Sequence, residues 1–336
     1  MQIHAKGRYE PMERKPRILV TCKMPREWFP DYKDCELVFP DKMGFLTQEE
    51  LIPLIEDVDG AVILFTYLDE NVLKHCKNLK AVTSFGAGYD SINVEDCTRR
   101  GIYVCNTPEA VCEPTAEFTI GMILDTLRTI TWRDRQLRTN PDYDWGLAKY
   151  PSWIAMGKTL GIVGMGRIGK SVARRALALG MKIVYYNRHK MSAEDEARYE
   201  ATYLPLDELL KTADVVSLHT PLTPETEGLI GARELSMMKK TAHLVNMARG
   251  PVVDEAALIA ALKNHDIAGA ALDVFCNEPN INPEFKTLDN VVITPHVGVD
   301  SAEARMIIAH HTALNLLPAI GGGVPKYLVN RELLNK

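Results

Sequence analysis

A chain of 336 residues exceeds one typical hydrophobic core, so its length predicts two domains, and 46% hydrophobic with 25% charged residues is ordinary for a globular protein. The formal net charge of -5 excludes the basic footprint that nucleic-acid binding requires, and no apolar run approaches a membrane span. The seven cysteines are an odd number without any C-x-x-C pair, which predicts reduced thiols and a cytoplasmic location.

Short apolar runs alternate with helix-like segments through the first third of the sequence. Because this alternation is typical of strand-helix-strand units, it predicts a smaller parallel sheet. Pro114 in a first helical turn begins a long helix predicted over residues 115–137, which leads into the second half of the chain. The predicted strands are residues 18–22, 36–39, 61–64, 79–83 and 102–104, and two predicted helices are residues 48–55 and 94–99.

Six further apolar runs in the second half predict a larger sheet. Polar residues that could do chemistry stand just after the carboxyl ends of these runs. In an open parallel sheet, ligands bind at that edge because helix N-termini and short loops converge there. The sequence therefore predicts an α/β fold with two doubly wound parallel sheets and a dinucleotide-dependent enzyme. The six runs are residues 159–163, 182–186, 214–218, 242–245, 267–272 and 291–294.

A glycine motif, Gly-Met-Gly-Arg-Ile-Gly at residues 164–169, follows the first of these runs and opens a predicted helix. Gly164 makes the tight turn, Gly166 lets a pyrophosphate approach the backbone, and Gly169 lets the helix lie close to the strand. Because a strand, a helix and a second strand surround it, the motif predicts a dinucleotide site rather than a chance glycine turn.

The end of the second strand in such a unit normally selects the cofactor, because a carboxylate there binds the ribose hydroxyls and repels a 2′-phosphate. Here the residues are Asn187, Arg188, His189 and Lys190, with no carboxylate and three potential cations. A 2′-phosphate favours a bidentate guanidinium, so Arg188 predicts a preference for NADP(H). The alternative is an ordinary solvated turn at Arg188 and Lys190 in an enzyme that uses NAD(H).

Segments at the ends of the last three strands carry three candidate catalytic residues, Arg249, Glu278 and His296. A 2-oxo acid requires a guanidinium for its carboxylate and carbonyl, and an imidazolium that protonates the carbonyl oxygen as hydride arrives. A carboxylate that is hydrogen-bonded to the imidazole favours its charged form. Any one of these residues alone could be an ordinary surface or packing residue. Together, beside a dinucleotide loop, they indicate a reacting centre.

In these motifs the chain resembles the D-isomer-specific 2-hydroxyacid dehydrogenases, over about residues 17–334. The resemblance rests on the glycine loop, on the three catalytic segments, and on motifs at residues 85–90, 105–108, 116–117 and 218–223. It implies that Arg249, Glu278 and His296 are the catalytic residues. It also implies that the backbone amides around Ala87 and Gly88 bind the substrate carboxylate, alongside Arg249 and His296.

The resemblance further implies a set of cofactor contacts, in which Asp273 binds the nicotinamide carboxamide. No metal site is predicted, because the adjacent His310 and His311 do not share a helix face. The predicted cofactor contacts are Thr115, Gly164, Gly166, Arg167, Ile168, Gly169, Asn187, Arg188, His219, Pro221, Thr226, Met247, Ala248, Asp273 and Gly298.

The domain organisation implied by the resemblance is an insertion. The dinucleotide domain, residues 111–301, interrupts a flavodoxin-like substrate domain of residues 1–110 and 302–336. The last predicted helix, residues 302–317, ends at Pro318 and returns to the substrate domain, and Asp300 with Glu303 predicts its N-cap and capping box. The resemblance also implies a homodimer.

Two local features bear on the substrate pocket. The segment 65–68, Phe-Thr-Tyr-Leu, is bulkier than a pocket for glyoxylate alone would require, although packing is an equal alternative for Tyr67 and Leu68. Cys276 is either a reactive thiol near the site or, as we expect, a small buried hydrophobe.

These observations predict a reductase that transfers hydride from NADPH to a small 2-oxo acid and gives the D-2-hydroxy acid. Glyoxylate, hydroxypyruvate and a sugar-derived acid such as 2-ketogluconate are the first candidate substrates. An NAD-dependent dehydrogenase for D-lactate or another D-2-hydroxy acid is the nearest alternative. Two alternatives belong to other functional classes. The first is a dinucleotide-sensing corepressor, whose usual peptide-binding features or disordered tails this chain lacks. The second is a cofactor-binding structural protein without turnover.

Overall fold

The computed structural model describes residues 14–144 and 152–335, and the chain divides into two compact units. The first unit joins the chain up to Val111 to the segment that begins at Asp300, and the second unit comprises Cys112–Val299. In the described part of the chain, no helix combines the length and the apolar character that crossing a membrane would require.

Among the described residues, short strands alternate with helices in both units. The strands are β1 (Arg17–Val20), β2 (Glu36–Val38), β3 (Gly60–Ile63), β4 (Ala81–Ser84), β5 (Tyr103–Cys105), β6 (Thr159–Val163), β7 (Lys182–Tyr186), β8 (Ala201–Tyr203), β9 (Val215–Leu218), β10 (His243–Asn246), β11 (Gly269–Leu272) and β12 (Val291–Ile293). The helices are α1 (Gln48–Ile55), α2 (Glu70–Leu73), α3 (Val94–Arg99), α4 (Cys112–Arg128), α5 (Ile130–Thr139), α6 (Arg167–Ala178), α7 (Ala193–Arg198), α8 (Leu206–Thr212), α9 (Ala232–Met237), α10 (Glu255–Lys263) and α11 (Ala302–Ile320).

The first unit is built on a five-stranded parallel sheet in the order β2-β1-β3-β4-β5. Every residue of β3 and β4 is buried, as expected for a parallel sheet covered on both faces. Leu316 and Ile320 of α11 pack in one core with Ile18 and Val62. The smaller parallel sheet predicted for the first third is confirmed, and α1 and α3 begin and end at the predicted residues.

The second unit is built on a seven-stranded parallel sheet in the order β12-β11-β10-β9-β6-β7-β8. The chain moves outward from β6 through β7 to β8, then returns to β9 beside β6 and moves outward in the other direction. This reversal places a crevice at the carboxyl ends of β6 and β9, where open α/β sheets bind ligands. The predicted α/β class with two parallel sheets is confirmed, and β6 and β7 have the predicted bounds.

Burial on both faces fixes β6 at the centre of this sheet. Leu160 and Ile162 pack in the same core as Val172 of α6, whereas Val163 points into the opposite core. Each of these side chains is fully buried, which contributes about 1.5 to 3 kcal/mol per side chain to folding. Gly161 leaves room for α8, because a Cβ there would collide with the Leu209 side chain.

The single helix predicted over residues 115–137 is wrong. The chain forms α4 and α5 instead, because Thr129 between them adopts a left-handed conformation with a φ of 54°. The Asp125 carboxylate accepts hydrogen bonds from the Thr131 amide, at 2.8 Å, and from the Thr131 hydroxyl. The amides of a first helical turn have no acceptor inside their own helix, so Asp125 stabilises the break by supplying one.

The last helix was predicted to end before Pro318, but α11 continues through it to Ile320. Proline has no N–H, so it cannot donate the helical hydrogen bond to the Leu314 carbonyl. The Lys326 amide donates to that carbonyl instead, at 3.3 Å. Because a later segment of the chain supplies the missing donor, the proline is tolerated in the last turn.

The start of α11 also differs from its prediction. The N-cap is Ser301, whose hydroxyl accepts a hydrogen bond from the Ala304 amide at 3.1 Å. Asp300, predicted as the N-cap, instead forms an ion pair with Arg305. The capping interaction therefore lies one residue later than the sequence pattern indicated.

A buried histidine at the amino end of β10 makes the second unit sensitive to acid. His243 is 5% exposed, and its Nδ1 lies 2.9 Å from the Thr126 hydroxyl. Burial lowers the pKa of His243 to about 4, whereas an unfolded histidine titrates near 6.5. Between these pH values the unfolded chain binds a proton that the folded chain does not. Stability therefore falls as the pH drops below about 6.5 and levels off below about 4.

This titration predicts that the free energy of unfolding decreases when the pH falls from 7.5 to 5. The decrease should be about 2 kcal/mol larger in the wild type than in His243→Asn. Chemical denaturation followed by tryptophan fluorescence at both pH values measures the difference. The control is His265→Asn, which replaces an exposed histidine in the same unit and should keep the wild-type pH dependence. An equal loss in the wild type and in His243→Asn would contradict a neutral, buried His243.

Candidate active site

The loops that follow β6 and β9 touch at the crevice between these strands. Gly164 has a φ of 98°, which favours glycine, and a Cβ on it would lie 2.8 Å from the His219 carbonyl oxygen and 2.9 Å from the Thr220 amide nitrogen. Only a residue without a side chain permits this approach. The tight turn predicted at Gly164 is therefore explained by the adjacent backbone of the loop after β9.

The other two glycines of the loop have different physical reasons. A Cβ on Gly169 would overlap the Gly164 carbonyl oxygen, so packing requires glycine there. A Cβ on Gly166 would meet no protein atom within 4 Å, so packing does not require it. Gly166 is the N-cap of α6 and offers no side-chain cap, so the first-turn amides at Arg167 and Ile168 have no acceptor within the helix. Open space beside uncapped amides suits a phosphate group.

Two buried polar atoms in the same crevice support a polar ligand. His219 Nδ1 and Thr220 Oγ1 have no hydrogen-bond partner among the described residues. The other ring nitrogen of His219 lies 2.8 Å from the Ser217 hydroxyl, and burial lowers the pKa of His219 to about 3, so the ring is neutral. Buried polar groups are almost always hydrogen-bonded in native proteins. The crevice therefore fits a dinucleotide, whose ribose and phosphate oxygens could serve as partners.

The loop after β9 holds its own shape. The Thr226 hydroxyl donates to the Pro221 carbonyl at 2.7 Å and accepts from the Thr223 amide at 2.8 Å. The Thr226 side chain is thus engaged in its own turn. Its predicted contact with a cofactor remains a prediction.

At the end of β7, Asn187 and Arg188 have separate roles. The Asn187 Oδ1 accepts a hydrogen bond from the Met165 amide at 2.6 Å, so this side chain braces the glycine loop. Lys190 pairs with Glu196 at 3.3 Å. Arg188 is exposed and makes no hydrogen bond or ion pair with other described residues. Within the described part of the chain, the Arg188 guanidinium is therefore not bonded to another residue, whereas the Lys190 ammonium is.

The carboxyl ends of β10, β11 and β12 bring Arg249, Glu278 and His296 together. His296 Nδ1 lies 2.7 Å from Glu278 Oε2, and Glu278 Oε1 accepts a hydrogen bond from the Phe275 amide at 2.9 Å. Burial raises the pKa of Glu278, but the hydrogen bond and charge of His296, the Phe275 amide and the Arg249 charge lower it by more. The net pKa lies below the ordinary value, so the carboxylate is ionised at neutral pH.

The Asn246 side chain and a close backbone contact at Gly250 position the segment that carries Arg249. The buried Asn246 side chain donates to the Arg249 carbonyl and accepts from the Ala248 amide, each at 3.0 Å. A Cβ on Gly250 would overlap the backbone of Phe275. Because the segment after β10 lies directly against the segment that leads to Glu278, the main chain fixes the spacing of the two catalytic segments.

Asp273 supports the turn that carries His296. Its Oδ1 accepts from the Thr294 hydroxyl at 2.6 Å and from the Val297 amide at 2.9 Å, and its Oδ2 accepts from the Gly298 amide at 2.8 Å. Burial raises the pKa of Asp273 above its ordinary value, although these three hydrogen bonds oppose the shift. His296 adopts a left-handed φ of 54°, and its amide donates to the Asp273 carbonyl at 2.9 Å. The carboxylate thus stabilises a strained backbone at the candidate catalytic histidine.

Four predicted cofactor residues converge near this turn. A Cβ on Gly298 would lie 3.1 Å from Asp273 Oδ2, 3.1 Å from the Met247 methyl and 3.8 Å from the Thr115 methyl. Ala248, the fifth, is buried in the turn after β10. The structure therefore places these residues together at the edge that also carries the Arg249, Glu278 and His296 group.

Ala87 and Gly88 belong to the first unit, in the loop after β4. The Ala87 carbonyl accepts a hydrogen bond from Asn106 Nδ2 at 2.7 Å, and the Gly88 carbonyl accepts one from the Ser84 hydroxyl at 2.5 Å. These bonds hold the carbonyls inside the unit. The role predicted for the amides remains a prediction.

Cys276 is exposed, so its expected burial is wrong. Partial desolvation and the nearby Glu255 carboxylate raise the pKa of the Cys276 thiol to about 12. The thiolate is the reactive form of cysteine, so this thiol is not activated at neutral pH. The sequence position of Cys276, two residues before Glu278, gave no information about its exposure.

Comparison with known proteins assigns the family. Residues 120–298 match the model of the D-isomer specific 2-hydroxyacid dehydrogenase NAD binding domain. Glyoxylate reductase of Pyrococcus furiosus is 41% identical over 326 residues, which cover 95% of this chain and 97% of the relative. The chain belongs to the D-isomer-specific 2-hydroxyacid dehydrogenases.

Two further relatives agree with this dehydrogenase family. Glyoxylate reductase of Thermococcus gammatolerans is 42% identical over 329 residues, with 95% of this chain and 97% of the relative covered. The solved structure of an NADPH-dependent glyoxylate/hydroxypyruvate reductase from Sinorhizobium meliloti, in complex with NADP and malonate, matches with a TM-score of 0.81 and 31% identity. The match covers 94% of this chain and 97% of that structure.

The predicted family is therefore confirmed, and with it an oxidoreductase that reduces 2-oxo acids with a nicotinamide dinucleotide. Sequence reasoning missed two residues of the dehydrogenase site, Asn246 and Thr294, which hold Arg249 and Asp273 through hydrogen bonds. Each is a polar residue at or next to the end of a strand, and that position was the available signal.

Proposed function

We propose that this dehydrogenase reduces a small 2-oxo acid of the glyoxylate and hydroxypyruvate type to the D-2-hydroxy acid, with Arg249, Glu278 and His296 as its catalytic residues. The observation that carries the proposal is the 2.7 Å hydrogen bond between His296 and Glu278 at the sheet edge that also holds Arg249. The relatives named glyoxylate reductase support the same substrate class.

In this proposal His296 is the general acid of the reduction. With Nδ1 held by Glu278, the opposite ring nitrogen Nε2 delivers a proton to the substrate carbonyl oxygen, and it takes the proton back in the oxidation direction. The Glu278 carboxylate balances the positive charge of the imidazolium, and its lowered pKa keeps it ionised while it does so. A nicotinamide dinucleotide, when bound, supplies the hydride.

Arg249 is the proposed anchor of the substrate anion. Its planar guanidinium can bind a carboxylate and a carbonyl oxygen at once, which orients the reacting carbon and stabilises negative charge on the oxygen. The backbone amides near Ala87 and Gly88 are proposed, from the family resemblance, to bind the substrate carboxylate as well. Arg249 therefore acts in both binding and turnover.

The dinucleotide is proposed to bind along the carboxyl edge of the larger sheet. The open space beside Gly166 and the uncapped first-turn amides of α6 support this position. The buried atoms His219 Nδ1 and Thr220 Oγ1, which have no partner among the described residues, support it as well. The proposed contacts are Thr115, Gly164, Gly166, Arg167, Ile168, Gly169, Asn187, Arg188, His219, Pro221, Thr226, Met247, Ala248, Asp273 and Gly298.

A substrate panel tests the proposed activity. Oxidation of NADPH should be fastest with glyoxylate or hydroxypyruvate, with 2-ketogluconate and pyruvate as comparisons. Phe65 and Tyr67 are each about half exposed, whereas Leu68 is buried, and the Phe65 ring packs edge-on against Phe45. Pyruvate as the preferred substrate would favour the D-lactate alternative instead.

We also propose that the enzyme prefers NADPH, because Arg188 can form charge-assisted hydrogen bonds with a 2′-phosphate. Such bonds contribute roughly 1.5 to 3 kcal/mol, which corresponds to about a 10- to 100-fold preference in kcat/KM. The NADPH-dependent relative from Sinorhizobium meliloti supports this preference.

Arg188→Ala is expected to remove most of that preference by raising the KM for NADPH, while kcat/KM with NADH changes little. Steady-state kinetics with both cofactors measure the change. Lys190→Ala is the matched control, because Lys190 is engaged with Glu196 and should leave the preference unchanged. Adding Asn187→Asp should reverse the preference, since aspartate can still accept from the Met165 amide and adds a charge that repels the phosphate. Equal efficiency with NADH in the wild type would rule out this role of Arg188.

The assembly and location are proposed from broader arguments. The family resemblance supports a homodimer, which size-exclusion chromatography with light scattering would test. All seven cysteines are free thiols, which supports a reducing compartment such as the cytoplasm.

A further inference from the structure

Three consecutive carbonyls in the loop after β4, at residues 86–88, each accept a hydrogen bond within the first unit. Their donors, in order, are the Thr107 amide at 2.9 Å, Asn106 Nδ2 at 2.7 Å and the Ser84 hydroxyl at 2.5 Å. Because a trans peptide is planar, its N–H is directed opposite to its C=O. The amides of residues 87–89 therefore point away from the donors that hold this loop.

These three amides have no acceptor among the residues that the structure describes. Two of them belong to Ala87 and Gly88, which are proposed to bind the substrate carboxylate. Successive backbone amides in a turn form concavities that bind anions. The bonds to the carbonyls thus leave the amides open to an anion, and the groups that hold those bonds set the geometry of the proposed carboxylate site.

One buried side chain connects both segments that hold the loop. Asn315 of α11 is fully buried, and its Nδ2 donates to the Thr83 hydroxyl at 3.1 Å and to the Asn106 carbonyl at 2.9 Å. Thr83 lies in β4, the strand that leads into the loop, and Asn106 supplies the donor at Ala87. Asn315 Oδ1 accepts a hydrogen bond from the Tyr327 amide at 2.9 Å.

The partners of Asn315 fix the orientation of its side-chain amide. A backbone N–H can only donate and a backbone C=O can only accept, so Oδ1 must face Tyr327 and Nδ2 must face Asn106. A buried polar group that loses its partner pays the full cost of desolvation. Removing the Asn315 side chain would therefore leave the Asn106 segment free to move in search of another donor.

We propose that Asn315 is a positioning residue of the substrate site, because it holds Asn106 and thereby fixes the direction of the amides that bind the substrate carboxylate. This inference rests on the proposed role of the Ala87 and Gly88 amides. The carboxylate is not the reacting group, so these amides bind the ground state and the transition state alike. Loss of this support should raise KM rather than lower kcat.

A second asparagine of the first unit is a close match for Asn315. Asn330 is 1% exposed, and its Oδ1 accepts from the Val104 amide at 2.8 Å. Its Nδ2 donates to the Thr98 hydroxyl and to the Ile102 carbonyl, each at 2.9 Å. Each asparagine thus binds one backbone amide, one threonine hydroxyl and one backbone carbonyl. The donors to the loop after β4 are not among the partners of Asn330, so Asn330→Ala is the matched control.

The test compares substrate binding with stability in the intact protein. Asn315→Ala should raise the KM for glyoxylate about tenfold, the effect of weakening one hydrogen bond to a charged group. The Ki of oxamate, an unreactive carboxylate with the shape of glyoxylate, should rise equally. Asn330→Ala should leave both constants unchanged, although it should lower the urea midpoint as much as Asn315→Ala does. In both variants the KM for NADPH should stay at the wild-type value.

Asn106→Ala tests the link between Asn315 and the loop. Asn106 is only partly buried, so this variant should fold even if Asn315→Ala does not. It should raise the same two constants, and the double variant should raise them no further, because Asn315 acts through Asn106.

Equal KM values for glyoxylate in Asn315→Ala and Asn330→Ala would overturn this inference, as would a wild-type KM in Asn106→Ala or additive effects in the double variant. The proposed reductase activity would stand in each of these cases. If the wild type reduces no 2-oxo acid, the proposed function fails and this inference fails with it.

Discussion

Replacing His296 with asparagine should lower kcat by about 10² to 10⁴, the usual contribution of a general acid. Asparagine cannot supply a proton, but it tolerates the left-handed backbone that His296 adopts at a φ of 54°. The variant should therefore fold and should bind NADPH with nearly unchanged affinity. Stopped-flow reduction of glyoxylate measures the chemical step, and fluorescence titration measures the cofactor Kd.

The same substitution at a second histidine controls for backbone effects. His265 has the same left-handed φ of 54° but lies after α10, at the amino end of β11. His265→Asn should retain wild-type turnover. Turnover within a few-fold of the wild type in His296→Asn would mean that the proton comes from another donor.

Replacing Arg249 should damage both substrate binding and turnover. Arg249→Ala should raise the KM for the 2-oxo acid and lower kcat, so that kcat/KM falls by at least about 10² to 10³, the usual loss when one transition-state donor is removed. Arg249→Lys should not restore activity, because a lysine ammonium lacks the planar pair of donors that binds a carboxylate and a carbonyl together. Steady-state kinetics over a range of substrate concentrations separate the two effects.

A conservative change at another arginine provides the comparison. Arg233 pairs with Asp207 at the surface of the second unit, so Arg233→Lys should behave like the wild type. An unchanged KM in Arg249→Ala would place the substrate anion elsewhere. A residue other than Arg249 would then have to anchor the substrate beside His296 and Glu278.

The parts of this structure that were predictable from sequence depend on strong local patterns. β6 and β7 are short apolar runs, followed by a glycine loop and by Asn187 respectively, so the local sequence marked their carboxyl ends. Arg249, Glu278 and His296 were found because parallel strands bring their carboxyl ends to one edge. That rule requires only the order of the elements, not their detailed packing.

The features that sequence reasoning missed depend on contacts between side chains and distant backbone. The break at Thr129 is stabilised by a hydrogen bond from the Thr131 amide to the Asp125 carboxylate. The hydrophobic periodicity of the sequence does not reveal this bond. Pro318 is tolerated in α11 because Lys326 donates to a helical carbonyl. The exposure of Cys276 likewise depends on how its loop lies against the rest of the second unit.

The contact between Gly250 and the Phe275 backbone has a consequence for redesign of this enzyme. Because the distance between the guanidinium segment and the carboxylate segment is set by two main chains in contact, side chains around the pocket can be exchanged without altering that distance. In a library that varies the substrate pocket, residue 250 must therefore remain glycine. Any side chain at residue 250 would push the two segments apart and separate substrate binding from proton transfer, however well the new pocket fits its substrate.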